Sequence, residues 1–537
     1  MGGKTIKWGN LIIFLLIISA AIAAIYFKFL ETDTKEMPGK SANRDKNNKD
    51  VPFLEPDDEG ILFSSEDSFI MGLDSWIGGT PILIALDRGY NKDYLLDLKT
   101  KYIHADSERM RELAEGNIHA TEISLPSFMR FQELYPNKGI IVGITDFSRG
   151  ADGILAKTQV RDLNDIEGKR VSYVKNGTGK FILNKFLRLV GLRYQDIEPI
   201  ERESMEEVIN DLRLDIADVI VSWSPDMNLA VNEINELKPD SVKILITTKE
   251  VPDLIPTMLV VNREYAREHP DKVEDFLKTW FVSTKYILER TDKAYERLTQ
   301  LMGDAQEYGE ITVPDVAKSL EDVRLMSLND NLSYFGFVNG DSRIASIIDD
   351  TIETWKRYGD MDFNFTLPGE ITGINYIAGM GDDKELLVGV LNTNSLEDTE
   401  VEKEFEKQDG ESIERNTEKI AKVDIPPVYY DTGKATVMPE SLSVLNEVLS
   451  VLSQFPEYYL IVDAHTDSVG SVEMNLTLSQ NRAIEVKKYL ANHGIDENRI
   501  VARGWGKSKL LVEEDVTEED KARNRRTEFI LTRETNQ

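Results

Sequence analysis

From Trp8 to Phe27 the chain runs through apolar and small residues without one Asp, Glu, Lys or Arg. A run of this length, at about 1.5 Å per residue, crosses a hydrocarbon core of about 30 Å. Two readings stand at this point. Residues 1–30 form a membrane anchor, or they form a signal peptide with Lys4 and Lys7 as its basic start and Ala21-Ile22-Ala23 as its cleavage site. The run continues through Ile25, Tyr26 and Phe27, where a signal peptide turns polar, which favours the anchor. Residues 31–59, rich in Lys, Asp, Asn and Pro, form a linker.

Downstream the period alternates. "SFIMGLDSW", "GIIVGITDF", "KRVSYVKNG" and "ADVIVSW" predict strands, while "TPILIALDRGY" and "TGKFILNKFLRLVGL" predict helices, the second closed by Gly191. Residues 271–300 and 314–360 are mainly helical in pattern. Strands and helices interleaved in this way predict an α/β domain over residues 60–375 with a parallel-rich sheet. Residues 393–424 are nearly all charged or polar and are expected to be an acidic linker, either a solvated helix or disorder. Residues 425–537 then predict a small β-α-β-α-β-β domain: strand "PPVYYDTG", a helix over 439–455, strand "YYLIVDA", a helix from Leu478 to Asn492, and strands "RIVARGW" and "TEFILT".

Charge and composition narrow the function. A formal charge of −32 over 537 residues argues against a general nucleic-acid binder. The absence of cysteine removes disulfides, thiol nucleophiles and Cys metal sites. Of the five histidines, at 104, 119, 269, 465 and 493, none lies in an H-E-x-x-H motif, and G-x-S-x-G is absent. No enzyme, cofactor or metal site is expected. "NGTGK" lacks the spacing of a phosphate-binding P-loop, since one residue separates its glycines and Phe181 follows the Lys.

The stretch "VDAHTDSVGSVEMNLTLSQNRAIEV" sets His465, Thr466 and Asp467 at a strand end and Arg482 in the first turns of the next helix. Gly470 and Asn475 lie in the turn that brings Asp467 and Arg482 together. Such a pair either grips a zwitterion, Asp467 accepting from an ammonium and Arg482 forking onto a carboxylate, or forms an internal salt bridge. With "RGWGKS" and "NRRTEFIL" downstream, this region resembles the OmpA-like peptidoglycan-binding domain. The resemblance implies recognition of the diaminopimelate stem peptide by Asp467 and Arg482, with Asn475 bracing the loop and Thr466, Arg526, Tyr430 and Asp431 at the site. Ala464 and Thr527 depart from that pattern beside the grip.

The longer region, with "GLDSWIGGTPILIALDRGY", "GADGI", "DLNDIEGKRV" and "ADVIVSWSPDM", resembles solute-binding proteins of taurine, nitrate and alkanesulfonate ABC transporters. That resemblance implies two α/β lobes closing on a small anionic solute. Trp76, Gly79, Thr80, Ser124, Ser148, Asp152, Gly177, Thr178, Trp223 and Asp226 stand on the expected loops beyond strand ends, where α/β sheets hold ligands. The alternative for each residue taken singly is a role in a tight turn, as any α/β fold requires.

The expected whole is a protein of the bacterial cell envelope, anchored in the cytoplasmic membrane with its bulk in the periplasm. Lys28, Lys35, Lys40, Arg44, Lys46 and Lys49 follow the apolar run and argue for the opposite orientation. A wall-binding domain overrides that count, because peptidoglycan lies outside. Expected partners are peptidoglycan, a small solute, the membrane and a membrane protein. The alternatives are a wall-tethered scaffold or sensor that has lost transport, and a motor-stator subunit. The second is opposed by the lack of an acidic proton carrier in residues 8–27.

Overall fold

The computed structural model describes residues 68–175, 177–302, 311–338, 340–357, 372–388, 405, 407–430 and 433–535. The expected anchor, the 31–59 linker and Asp431 lie outside the described residues. Among those described, no helix is long and apolar enough to cross a membrane.

Two mixed sheets form two lobes. The first contains β1 (Phe69–Leu73), β2 (Leu98–Tyr102), β3 (Ala120–Ser124), β4 (Gly139–Ser148), β10 (Pro256–Asn262) and β11 (Val323–Leu325), in the order β11-β4-β10-β3-β1-β2. The second contains β5 (Asp152–Lys157), β6 (Arg170–Val174), β7 (Glu198–Arg202), β8 (Val219–Trp223) and β9 (Val242–Thr247), in the order β7-β6-β8-β5-β9. The chain crosses between lobes twice, from β4 to β5 and from β9 to β10. The sheets are less parallel than expected for this reason. Strands β1, β2 and β3 pair in parallel, whereas β10 returns from the other lobe and runs antiparallel to both β3 and β4.

Burial follows the predicted patterns. Strand β10 is buried at every position, as a central strand covered on both faces should be. The helix Thr178–Leu189 turns Phe181, Ile182, Phe186 and Leu187 inward, and its chain reverses at Gly191, whose φ of 72° suits glycine. Helix Pro270–Glu289 buries Phe276, Trp280 and Ile287 against the first lobe.

The C-terminal sheet has the order β12-β15-β13-β14, from β12 (Thr417–Val423), β13 (Tyr459–His465), β14 (Ile500–Gly506) and β15 (Thr527–Glu534). Here the first strand differs from expectation. It is "TEKIAKV", inside the stretch expected to be linker, and not "PPVYYDTG". Charged residues conceal it, but Ile420 and Val423 enter the core and Ile413 packs on the far face with Phe405 and Tyr459. The folded domain therefore begins by residue 412, with the helix Ser412–Asn416.

A second correction concerns the helix expected from Leu478, which begins at Val472 because the Ser471 hydroxyl accepts from the Met474 amide. Arg482 thus lies in its third turn, on the buried stripe of Asn475, Ser479, Ala483, Val486 and Leu490. A Cβ at Gly504 would collide with the backbone of Gln480, so glycine allows this helix to lie on β14.

The C-terminal domain also touches the second lobe. Asn164 exchanges two hydrogen bonds with the Lys422 backbone, at 2.7 and 3.1 Å. Lys419 pairs with Asp162 at 3.0 Å, the Asp424 amide donates to Leu189 O at 2.9 Å, and Arg533 meets Glu250 of the second crossover at 2.8 Å.

Candidate functional site

Two sites are built by these elements, one in each folded region. In the C-terminal domain β13 ends at His465, and Thr466 is held by its amide on Gly506 O at 2.9 Å. The next residue, Asp467, projects at the rim. Its Oδ2 accepts from Arg525 Nη1 at 2.8 Å, and its Oδ1 accepts from the Val469 amide at 3.3 Å. Asn475 donates from Nδ2 to Val469 O at 2.9 Å and so fixes the loop around Gly470, whose φ is 99°.

Arg482 comes to the same place from behind. Its Nε donates to Lys434 O at 3.1 Å, and its guanidinium stacks 4.7 Å from the centre of the Tyr430 ring. Burial depresses the Arg482 pKa, opposed by Tyr430 and Asp467 and reinforced by Arg525. Asp467 and Arg482 are therefore electrostatic neighbours, but the ion pair of Asp467 is with Arg525. Arg526 turns away, donating to Glu528 at 2.7 Å and to Lys509 O at 3.2 Å.

Several participants were missed by sequence reasoning. Asn524 is fully buried and accepts from the Leu511 and Val512 amides while donating to Asp515 at 3.0 Å. Asp515 in turn receives the Ser468 amide at 2.8 Å and the Ser468 hydroxyl. The "NRR" triplet was visible, but which of its arginines faces Asp467 depends on the turn before β15. Thr527, a departure from the expected pattern, places its hydroxyl 2.8 Å from that of Tyr430. His465 is buried among Arg526, Glu528 and Asp463, and burial first, then Arg526, pushes its pKa down to about 4.

The second site lies where the lobes meet. Trp76 precedes a short turn, Ile77–Gly79, and Thr80 Oγ1 donates to Ile77 O at 2.7 Å. The Trp76 indole donates to Asp146 Oδ2 at 3.1 Å, and a Cβ at Gly78 would occupy the place of that carboxylate. Ser124 caps the Leu125–Leu134 helix, and its hydroxyl meets Thr178 Oγ1 of the other lobe at 2.6 Å. Gly177 lies beside Ser127, so the N-terminus of the Thr178–Leu189 helix is closed over by lobe-to-lobe contacts. Ser148 shares a 2.6 Å hydrogen bond with Thr248 and accepts the Asp152 amide at 3.1 Å. Trp223 is partly exposed and stands opposite Asp152 in register, while Asp226 opens the helix Asp226–Leu237 and is buried. The ten predicted residues thus gather around the lobe contact and the crossovers, with Asp226 one step behind.

Carboxylates dominate this region. Arg109 is 1% exposed and holds Asp74 at 2.8 Å and Asp106 at 2.5 Å. Glu122, also 1% exposed, accepts the Asp74 amide at 3.2 Å on Oε1, and its Oε2 has no hydrogen-bond partner. Burial raises Glu122 well above the carboxylate range, and Asp74 adds to the effect. Burial likewise pushes Asp146 up to about 6 and Asp152 up to about 7. Sequence reasoning passed over Glu122, Asp146, Asp74 and Arg109.

Comparisons with known proteins agree with this division. Residues 429–525 match the OmpA family model, and residues 76–294 match the NMT1/THI5 like model. The C-terminal part of the chain is thus similar to the OmpA family and the part before it to NMT1/THI5 like proteins. It is 38% identical over 103 residues to outer membrane protein A of Bordetella avium, covering 19% of this chain and 53% of that one. It is 35% identical over 124 residues to the probable lipoprotein YiaD of Escherichia coli, covering 23% and 56%. The match thus spans about half the length of these curated relatives. Among solved structures, the periplasmic aliphatic sulphonate binding protein SsuA of Escherichia coli shares 15% identity at a TM-score of 0.46, over 57% of this chain and 97% of that one. The nitrate-binding protein NrtA of Synechocystis PCC 6803 shares 12% identity at 0.48, over 60% and 91%.

Proposed function

We propose that this chain is a bacterial cell-envelope protein that holds peptidoglycan through its C-terminal domain and a small solute between its two lobes. Residues 8–27 anchor it in the cytoplasmic membrane, which sets both folded regions on the periplasmic side. The observation that carries the wall-binding reading is the convergence of Asp467, Arg525 and Arg482 on one rim. One carboxylate flanked by two guanidinium groups matches a ligand that carries an ammonium and a carboxylate on one carbon, as diaminopimelate does. Arg482 is preset for that role. Tyr430 stacks against its guanidinium and Lys434 O holds its Nε, which leaves its terminal nitrogens for a carboxylate.

Peptidoglycan pull-down with the full chain in detergent tests this reading. Wild-type protein should sediment with diaminopimelate-type sacculi, and Asp467→Ala or Arg482→Ala should lower retention at least about tenfold, the loss of one charged partner costing about 1.5–3 kcal/mol. Undiminished retention by both variants would show that the rim is not the binding site.

A second reading, a wall-tethered scaffold or sensor in place of a transport component, draws on two features. The lobes already touch through Ser124 and Thr178, and the wall domain is fastened to the second lobe by Asn164, Asp162 and Glu250. An anionic solute was the expectation for the cleft, but the N-terminus of the Thr178–Leu189 helix is occupied by the opposite lobe and the surrounding side chains are mostly acidic.

A further inference from the structure

Around the lobe contact the buried ionisable groups are unbalanced. Asp74, Asp106, Glu122, Asp146 and Asp152 stand there with Arg109, which already serves Asp74 and Asp106, while Arg149 sits on the first crossover with its amide on Asp322 O. A buried carboxylate is costly unless a cation or several donors meet it. Glu122 Oε2 has no hydrogen-bond partner, and the Arg109 charge near it is shared with Asp74 and Asp106. Its carboxylate lies against Gly79, where a Cβ would come within 3.3 Å of Oε1. Gly79, Asp74, Ser75, Trp76, Thr80 and Tyr102 wall a void of about 10 Å³. That volume admits about one water, so a solute of several heavy atoms enters only when the lobes part.

Further along, Asp146 is met by the hydroxyls of Thr145 and Thr257 and by the Trp76 indole. Asp152 has the Ser148 hydroxyl beside it and the Asp146 charge as its electrostatic neighbour. Hydroxyls and one indole N–H soften the burial of a carboxylate but supply no counter-charge. Trp76 donates to Asp146 and Trp223 stands opposite Asp152 in register, so an aromatic side chain accompanies each of these acids, a combination that suits an organic ammonium.

We propose that the two-lobed domain selects a small organic cation, with Glu122 and Asp74 accepting its N–H groups from one lobe and Asp146 and Asp152 supplying the charge along the crossover. This inference rests on the reading of the cleft as a solute site. Glu122 is the specificity-determining residue, because its free oxygen is the acceptor that the fold leaves open.

The test is a thermal-shift and calorimetric comparison on the full chain in detergent, with agmatine, putrescine and choline set against ethanesulfonate, nitrate and acetate. At least one of the three cations should raise the unfolding temperature by several degrees and give a saturable heat. Glu122→Gln, which keeps shape and cannot ionise when a cation arrives, should weaken that binding at least tenfold, and Glu122→Asp should recover part of it. Circular dichroism of each variant shows that the fold is retained. Binding of an anion with no response to cations overturns the charge assignment and leaves the solute site standing. Silence from all six compounds overturns both. Cation binding left unchanged by Glu122→Gln overturns the role of Glu122.

Discussion

Asp152 offers a direct measure of what the acidic cleft costs the fold. The side chain is 3% exposed, and burial raises its pKa from 3.8 to about 7. A carboxyl moved that far binds its proton about a thousandfold more tightly in the folded chain, about 4 kcal/mol at about 1.4 kcal/mol per factor of ten. The sign follows from linkage. Between pH 3.8 and about 7 the folded state keeps the proton that the unfolded state has released, so stability falls as pH rises through that window. Above it both states are ionised and the full cost remains. Asp152→Asn removes the ionisation and should stabilise the protein at pH 8 by up to about 4 kcal/mol, with a gain of only about 1 kcal/mol at pH 4.5, just inside the window. For a region of this size each kcal/mol is worth about 2 °C, so the unfolding temperature should rise by up to about 8 °C at pH 8. Differential scanning calorimetry of the full chain in detergent, at four pH values from 4.5 to 8, reads the effect. Equal pH slopes for wild type and variant, or a lower unfolding temperature for Asp152→Asn at pH 8, would refute burial as the source of the shift.

Other substitutions probe separate contacts. Arg525→Ala should impair sedimentation with peptidoglycan by about tenfold while Arg526→Ala should not, because Arg525 alone of the two meets Asp467; the reverse order would move the grip to the other side of the turn. Thr178→Val removes the hydroxyl that joins Ser124 across the lobes and should enlarge the radius of gyration in small-angle scattering, with a stability loss of about 1 kcal/mol. Gly191→Ala forces a side chain onto a φ of 72° and sets a Cβ 2.7 Å from that of Asp424. Beyond about 1 kcal/mol of backbone strain, it should speed hydrogen exchange at residues 417–424 by loosening the seat of β12; unchanged protection there would mean that Asp424 can move aside.

What the sequence made legible was mostly local. The helix Thr178–Leu189 was readable from its apolar stripe and the glycine after it, and Trp76 to Thr80 from the loop between a strand and a proline-started helix. Long-range facts were not. Strand β12 carries charges at Glu418, Lys419 and Lys422, and its identity rests on pairing with β15 more than a hundred residues away. Helix Val472–Asn492 begins on a polar turn, so a reading keyed to apolar residues starts it late. Glu122 sits in "ATEIS", where alternation gives it an outward face. The turn at Gly79, with Asp74 and the buried Arg109, makes that face an interior one.

The two sites share one physical feature, although their charges differ. In the C-terminal domain a guanidinium is partly desolvated over Tyr430, with Asp467 nearby but paired to another arginine. In the cleft, carboxylates are desolvated with hydroxyls for company. Neither arrangement is the one that maximises stability: an apolar side chain of similar volume in place of Arg482, or an amide in place of Asp152, avoids the desolvation cost. A fold selected for stability alone would not retain both. On the proposed functions, ligands of opposite sign would complete each set, a carboxylate reaching Arg482 and an ammonium reaching Glu122 and Asp152. On this argument the stability penalty and the binding free energy have the same origin, and the variants that most stabilise the empty protein should be the ones that bind worst.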